Sequence, residues 1–144
     1  MSVHLASIFL VICNIIGLDG FDLQCTIKTT SKLPNFGPTE KCRTSNLQIT
    51  SRGQTVTSVN GQDLNTFNGS NFKTIEIGQQ TVHFLPNGLG NFFPNLEEMR
   101  IDKSSLKEVN KDDLAQLPKL KQLWLFNNDF QSLPSDLFEG NSEL

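Results

Sequence analysis

Tyrosine is absent from this 144-residue chain, tryptophan occurs once, and histidine and methionine occur twice each. Most of the aromatic bulk therefore falls to 11 phenylalanines. There is no basic block either. Lys and Arg total 12 against 15 Asp and Glu, a mild acidic excess that leaves no electrostatic footprint for nucleic acid or anionic lipid. Scarce histidine and cysteine narrow the chemistry further. Once a leader is set aside, the chain keeps His83, Cys25 and Cys42. Nucleophilic catalysis needs a Ser or Cys beside a base, and zinc needs about four ligands. Neither set is at hand, so no catalytic residue, metal or cofactor is expected. His83, in Val82-His83-Phe84, reads as an exposed and inert side chain. Glu97-Glu98 lies on a strand pattern that sends adjacent carboxylates to opposite faces, and Asp112-Asp113 suits the first turn of a helix. Gly88-Leu89-Gly90 lacks the rest of any phosphate-binding loop, and neither Asp102 nor Asp129 sits in a loop with EF-hand spacing.

No apolar run reaches the roughly 20 residues that span a bilayer. The longest, Leu5 to Ile16, has the length of a secretory h-region and is followed by the small residues Gly17 and Gly20. Residues 1–20 are accordingly read as a signal peptide, although its n-region carries only His4 and no Lys or Arg. Cleavage would remove Cys13. An exported chain meets an oxidising compartment, where the remaining pair, Cys25 and Cys42, is expected to form a disulfide rather than a metal site. One sequon, Asn68-Gly69-Ser70, is a candidate glycosylation site.

What is present in abundance is a ladder. Phe72, Leu96, Leu120 and Leu144 fall 24 residues apart. Behind the first three, Ile75 and Ile77 become Met99 and Ile101, then Leu123 and Leu125. Val82 and Leu85 become Leu106 and Val109, then Phe130 and Leu133. A self-similar period of 20 to 29 residues headed by L-x-x-L-x-L is the signature of a leucine-rich repeat, in which each unit forms one coil of a solenoid. The run from Leu120 to Phe138, Leu-Lys-Gln-Leu-Trp-Leu-Phe-Asn-Asn-Asp-Phe-Gln-Ser-Leu-Pro-Ser-Asp-Leu-Phe, resembles the extracellular leucine-rich repeat consensus. The earlier units depart from it, with Ser104 and Gln80 in place of the usual asparagine and Gly90 in place of an aromatic.

The resemblance implies an α/β fold: a solenoid with a parallel β-sheet on its concave face and an irregular or short-helical convex face. Residues 72–144 would form about three repeats, incomplete at the C-terminal end. Residues 21–71 would form a disulfide-closed, β-rich N-terminal cap similar to the two-cysteine caps of secreted arthropod members of the family. Within this cap, Asn46 to Thr50 is expected to pair with the first repeat strand and Thr55 to Val59 to form a second short strand. Lys111 to Leu117 suits a short helix or 3₁₀ turn, and Phe92, Phe93, Phe130 and Phe138 read as core fillers. Alternation turns Met99 and Ile101 inward and Glu98, Arg100 and Asp102 outward. Down the outward columns run Thr74, Glu98, Gln122; then Glu76, Arg100, Trp124; then Gly78, Asp102, Phe126.

Candidate ligand-binding residues are therefore Glu76, Glu98, Arg100, Asp102, Gln122, Trp124 and Phe126, with Trp124 and Phe126 forming an aromatic patch of the sort that anchors protein contacts. The function implied is a secreted, extracellular protein-binding module for recognition or adhesion. The alternatives are the N-terminal part of a Toll-like or Slit-like receptor ectodomain, whose membrane span would lie in a longer parent chain, and a structural matrix spacer. Leu144 is where a further repeat would start. Leu123, Leu125, Phe130, Leu133, Leu137 and Phe138 are expected to lie exposed on an open end, through which the isolated chain would self-associate.

Overall fold

The computed structural model describes residues 19–30 and 39–144. The expected leader falls outside the described residues up to position 18, Cys13 and His4 included. Among the described residues there are ten short elements. Six strands form the main sheet: β1 (Gly20–Thr30), β2 (Thr39–Ser45), β4 (Thr55–Val59), β5 (Phe72–Gly78), β7 (Glu98–Asp102) and β8 (Gln122–Trp124). They lie in the order β4-β1-β2-β5-β7-β8. Only β1 and β2 run antiparallel; the other neighbours are parallel. On the far side, β3 (Gln48–Ile49) pairs with β6 (Thr81–Val82), and two short helices, α1 (Leu89–Phe92) and α2 (Lys111–Ala115), complete a mixed α/β fold.

Strands β5, β7 and β8 align because their sequences repeat. Thr74 faces Glu98, which faces Gln122, and Glu76 faces Arg100, which faces Trp124, so each step from strand to strand advances 24 residues. Ile75, Ile77, Met99 and Ile101 are buried on one face while their neighbours point to the other. The register between β2 and β5 skips Lys73, a bulge that lets Phe72 turn inward as well. Phe72 then meets Phe67 and Phe93 at ring-centroid distances of 5.4 Å, and Phe67 meets Phe92 and Phe93 at 6.0 and 5.6 Å. Phe72, Phe92 and Phe93 are almost wholly buried. Burial of each such side chain contributes on the order of 1.5–3 kcal/mol.

A second ladder, made of polar side chains, ties each 24-residue segment to the one before it. Asn128 Nδ2 donates to the carbonyls of Ile101 and Phe126, both at 2.9 Å, and its Oδ1 accepts from the backbone N–H groups of Ser104 and Leu106 at 3.1 and 3.2 Å. Ser104 Oγ donates within reach of Asp102 O at 3.0 Å and lies 3.4 Å from the N–H of Gln80. Gln80 in turn accepts from Leu47 N–H at 2.7 Å and donates to Thr44 O at 2.9 Å. Turn backbone that would otherwise be buried unpaired is satisfied in this way. Asn128 satisfies four such groups because an amide both donates and accepts, where the Ser104 hydroxyl has a single proton to give.

The N-terminal part is closed by the Cys25–Cys42 disulfide, with a Cα–Cα distance of 5.2 Å. Thr55–Val59 is a strand, as its alternation suggests. The strand beside β5, however, is Thr39–Ser45 and not the stretch from Asn46 to Thr50, of which Gln48–Ile49 pairs with Thr81–Val82 instead. Lys111–Ala115 is helical with a capping box: Asn110 Oδ1 accepts from Asp113 N–H and the Asp113 carboxylate accepts from Asn110 N–H. Two expectations about side chains change. Phe138 is exposed and Phe130 only half-buried, so neither fills the core as Phe92 and Phe93 do. Leu137 is fully buried, because the turn that bonds Leu137 N–H to Pro134 O and Asn141 Nδ2 to Leu114 and Leu117 carbonyls tucks it against the preceding segment.

Candidate functional site

The face of the sheet opposite the core carries the outward columns. Parallel pairing sets neighbouring residues of a column about 4.8 Å apart. The central column reads Arg43, Glu76, Arg100, Trp124, and the one before it Lys41, Thr74, Glu98, Gln122. Gly78 stands beside Asp102 in the third. Strand β8 ends at Trp124, so Phe126 continues that third column from a turn rather than from paired strand. Sequence alternation placed these residues together; the contribution of Lys41 and Arg43 from β2 was not foreseen. Its signal was faint but present, since the strand reads Thr-Glu-Lys-Cys-Arg-Thr-Ser with cations at alternate positions.

Glu76 is not a free carboxylate. Lys41 Nζ lies 2.6 Å from one of its oxygens, and Arg43 Nη2 and Nε lie 2.9 and 3.1 Å from the other. Its side chain retains 14% of its exposure. Burial pushes the Glu76 carboxyl up, yet the hydrogen bonds and charges of Lys41 and Arg43 outweigh it and hold the group below the usual carboxylate range. The residue clamps β5 to β2 and offers little to a ligand.

The other end of the face is open. Trp124 and Phe126 are 38% and 51% exposed, with ring centroids 5.5 Å apart and planes 31° from parallel. Arg100 carries its guanidinium 5.7 Å from the Trp124 ring centroid and 3.6 Å from Glu98. Asp102 accepts from Asn127 Nδ2 at 2.9 Å, which braces the turn carrying Phe126. Between the two ends, Arg43, Glu76, Gly78, Arg100 and Asp102 border a shallow groove of about 360 Å³. The missing side chain at Gly78 opens it. Gln122 and Glu98 flank the aromatic pair, with Glu98 also accepting from Thr74 Oγ1 at 3.3 Å. The arrangement can stack an apolar or aromatic group on Trp124 and Phe126 while presenting both signs of charge beside it.

A second apolar surface adjoins this one. Leu123, Leu125, Phe130, Leu133, Phe138 and Trp124 border a groove of about 420 Å³ beside β8. His83 is half-buried rather than fully exposed, and its backbone bonds Ile49 O and Lys107 N–H. Among the described residues no group of three or more His, Cys, Asp or Glu side chains is gathered to hold a metal ion. No helix among them is long and apolar enough to cross a membrane. No protein-family model matches the chain, and comparison with curated proteins and with solved structures finds no match.

Proposed function

We propose that the chain is an exported leucine-rich repeat module that binds another protein through the open face of its sheet. The observation that carries this reading is the exposed pair Trp124 and Phe126, stacked beside Arg100 and Asp102 on that face. An aromatic pair costs solvation where it stands, and partner contact recovers it; aromatic and arginine side chains are where interface energy concentrates. The repeat assignment is supported by the 24-residue step between β5, β7 and β8 and by the polar ladder of Gln80, Ser104 and Asn128. Export is supported by the apolar run from Leu5 to Ile16 and by the Cys25–Cys42 bridge.

The test is a binding screen of the purified chain against secreted proteins and receptor ectodomains, repeated with single variants. A ligand is expected that Trp124→Ala weakens at least tenfold, the size of effect a central aromatic anchor gives. Asp102→Ala should weaken it less, and Lys107→Ala, on the opposite side, should leave it unchanged. Binding that ignores Trp124 and Phe126 would sink the reading, and a chain that engages nothing would favour the spacer role.

A further inference from the structure

We infer that Asn68 carries an N-linked glycan, on the rim of the sheet where β5, β7 and β8 begin. The inference rests on the export proposed above. Three observations support it. Asn68-Gly69-Ser70 is the one Asn-x-Ser/Thr sequon in the sequence, and no proline lies within it or directly after it. Asn68 is exposed in the folded chain. Its Oδ1 accepts from Ser70 N–H at 3.2 Å in an Asx turn, while its Nδ2, the atom that would bear the sugar, has no hydrogen-bond partner among the described residues. A glycan added to the nascent chain is therefore retained on folding without breaking a bond or displacing a packed group.

The neighbourhood fixes the direction. Gly69 is buried, and a Cβ there would lie 1.5 Å from the Phe92 carbonyl oxygen, so the backbone of the sequon is seated on the segment of α1. Ser70 O accepts from Asn95 Nδ2 at 2.9 Å, and Asn95 Oδ1 accepts from Lys119 Nζ at 2.6 Å. This lateral row runs along the N-terminal ends of β5, β7 and β8. Asp102 and Phe126 lie at or beyond the C-terminal ends of their strands, whereas Arg100 and Trp124 stand two residues in from the N-terminal ends, about 7 Å along. A sugar on Asn68 therefore stands on the rim where these strands begin.

The experiment expresses the full chain in a eukaryotic secretory host and measures the intact mass of the product in the medium before and after peptide N-glycosidase. The expected result is one glycan, released by the enzyme and absent from both Asn68→Gln and Ser70→Ala, with Ser70→Ala secreted at the wild-type level because its side chain makes no bond the fold uses. Ser70→Thr should raise the occupied fraction. A secreted wild-type chain with the bare polypeptide mass overturns this inference and leaves the export reading intact. A chain retained inside the cell overturns both.

Discussion

Asn128→Ala is the sharpest test of how the segments are held together. The substitution removes four hydrogen bonds at 2.9–3.2 Å. Two of them satisfy the N–H groups of Ser104 and Leu106, residues with no exposed surface. A buried donor left without a partner costs about 1–3 kcal/mol, so the two together imply a loss of about 2–6 kcal/mol, with the released carbonyls adding less because each keeps a second lone pair. Against a total stability of about 5–15 kcal/mol that is a large fraction. Urea titration should show the midpoint falling by about 1–3 M at a denaturant sensitivity of about 2 kcal/mol/M, usual for a small domain. Ser104→Ala sets the scale. Its hydroxyl makes one contact at 3.0 Å and two at 3.4 Å, so its loss should cost about 0.5–1.5 kcal/mol. The chain's one tryptophan, Trp124, reports on the last strand, while far-ultraviolet circular dichroism reports on the whole sheet, so the two probes together show whether Asn128→Ala loosens one segment or the fold. A midpoint for Asn128→Ala no lower than that of Ser104→Ala would refute the reasoning.

Reducing the Cys25–Cys42 bridge, or replacing both cysteines with alanine, should lower stability by about 3 kcal/mol through the loop it closes, and a melting temperature indifferent to reductant would contradict this. Acid should loosen the junction of β2 and β5. The Glu76 carboxyl titrates lower in the folded chain than in the unfolded one, so as pH falls from about 4.3 the unfolded chain takes up the proton first, and the stabilisation is lost through the lower folded value. Glu97 adds to the same slope, since hydrogen bonds from Lys73, then Lys121, hold it below the usual range against some burial. Stability measured between pH 5 and 3 should fall less steeply in Glu76→Gln. Gly90→Ala should destabilise by about 1–3 kcal/mol, because its Cβ would lie 1.9 Å from the Gln116 carbonyl oxygen. Gly140→Ala, with nothing nearer than 3.7 Å, is the matched control and should be close to neutral in the same melt.

The parallel strands were legible because leucine and isoleucine recur at fixed offsets and alternate with polar residues; the columns through Glu98, Arg100 and Trp124 follow from that arithmetic alone. The strand beside them was not. In Thr39–Ser45 the inward positions are Cys42 and Thr44, and neither stands out as apolar in a sequence, so Leu47 and Ile49 drew the assignment to the stretch that follows the strand. That misplacement also hid the fate of Glu76, whose partners Lys41 and Arg43 become its neighbours only once β2 lies beside β5. Gly90 looked like a lapse from the repeat pattern. It is a point where one segment comes too close to the next for any side chain. The burial of Leu137 and exposure of Phe138 depend on the turn pinned by Asn141, a tertiary contact that no periodicity encodes.

The two margins of the sheet are unlike. Along β4 the outward backbone is already taken, with Val56 N–H bonded to Asn87 O and Val59 exchanging bonds with Gln62. Along β8 no further strand is paired among the described residues. A strand added beside the columns of β5 and β7 must therefore join at β8. Contact between two copies by this route would consume both receptive margins at once. Joined in this way, two copies form a closed pair at that margin.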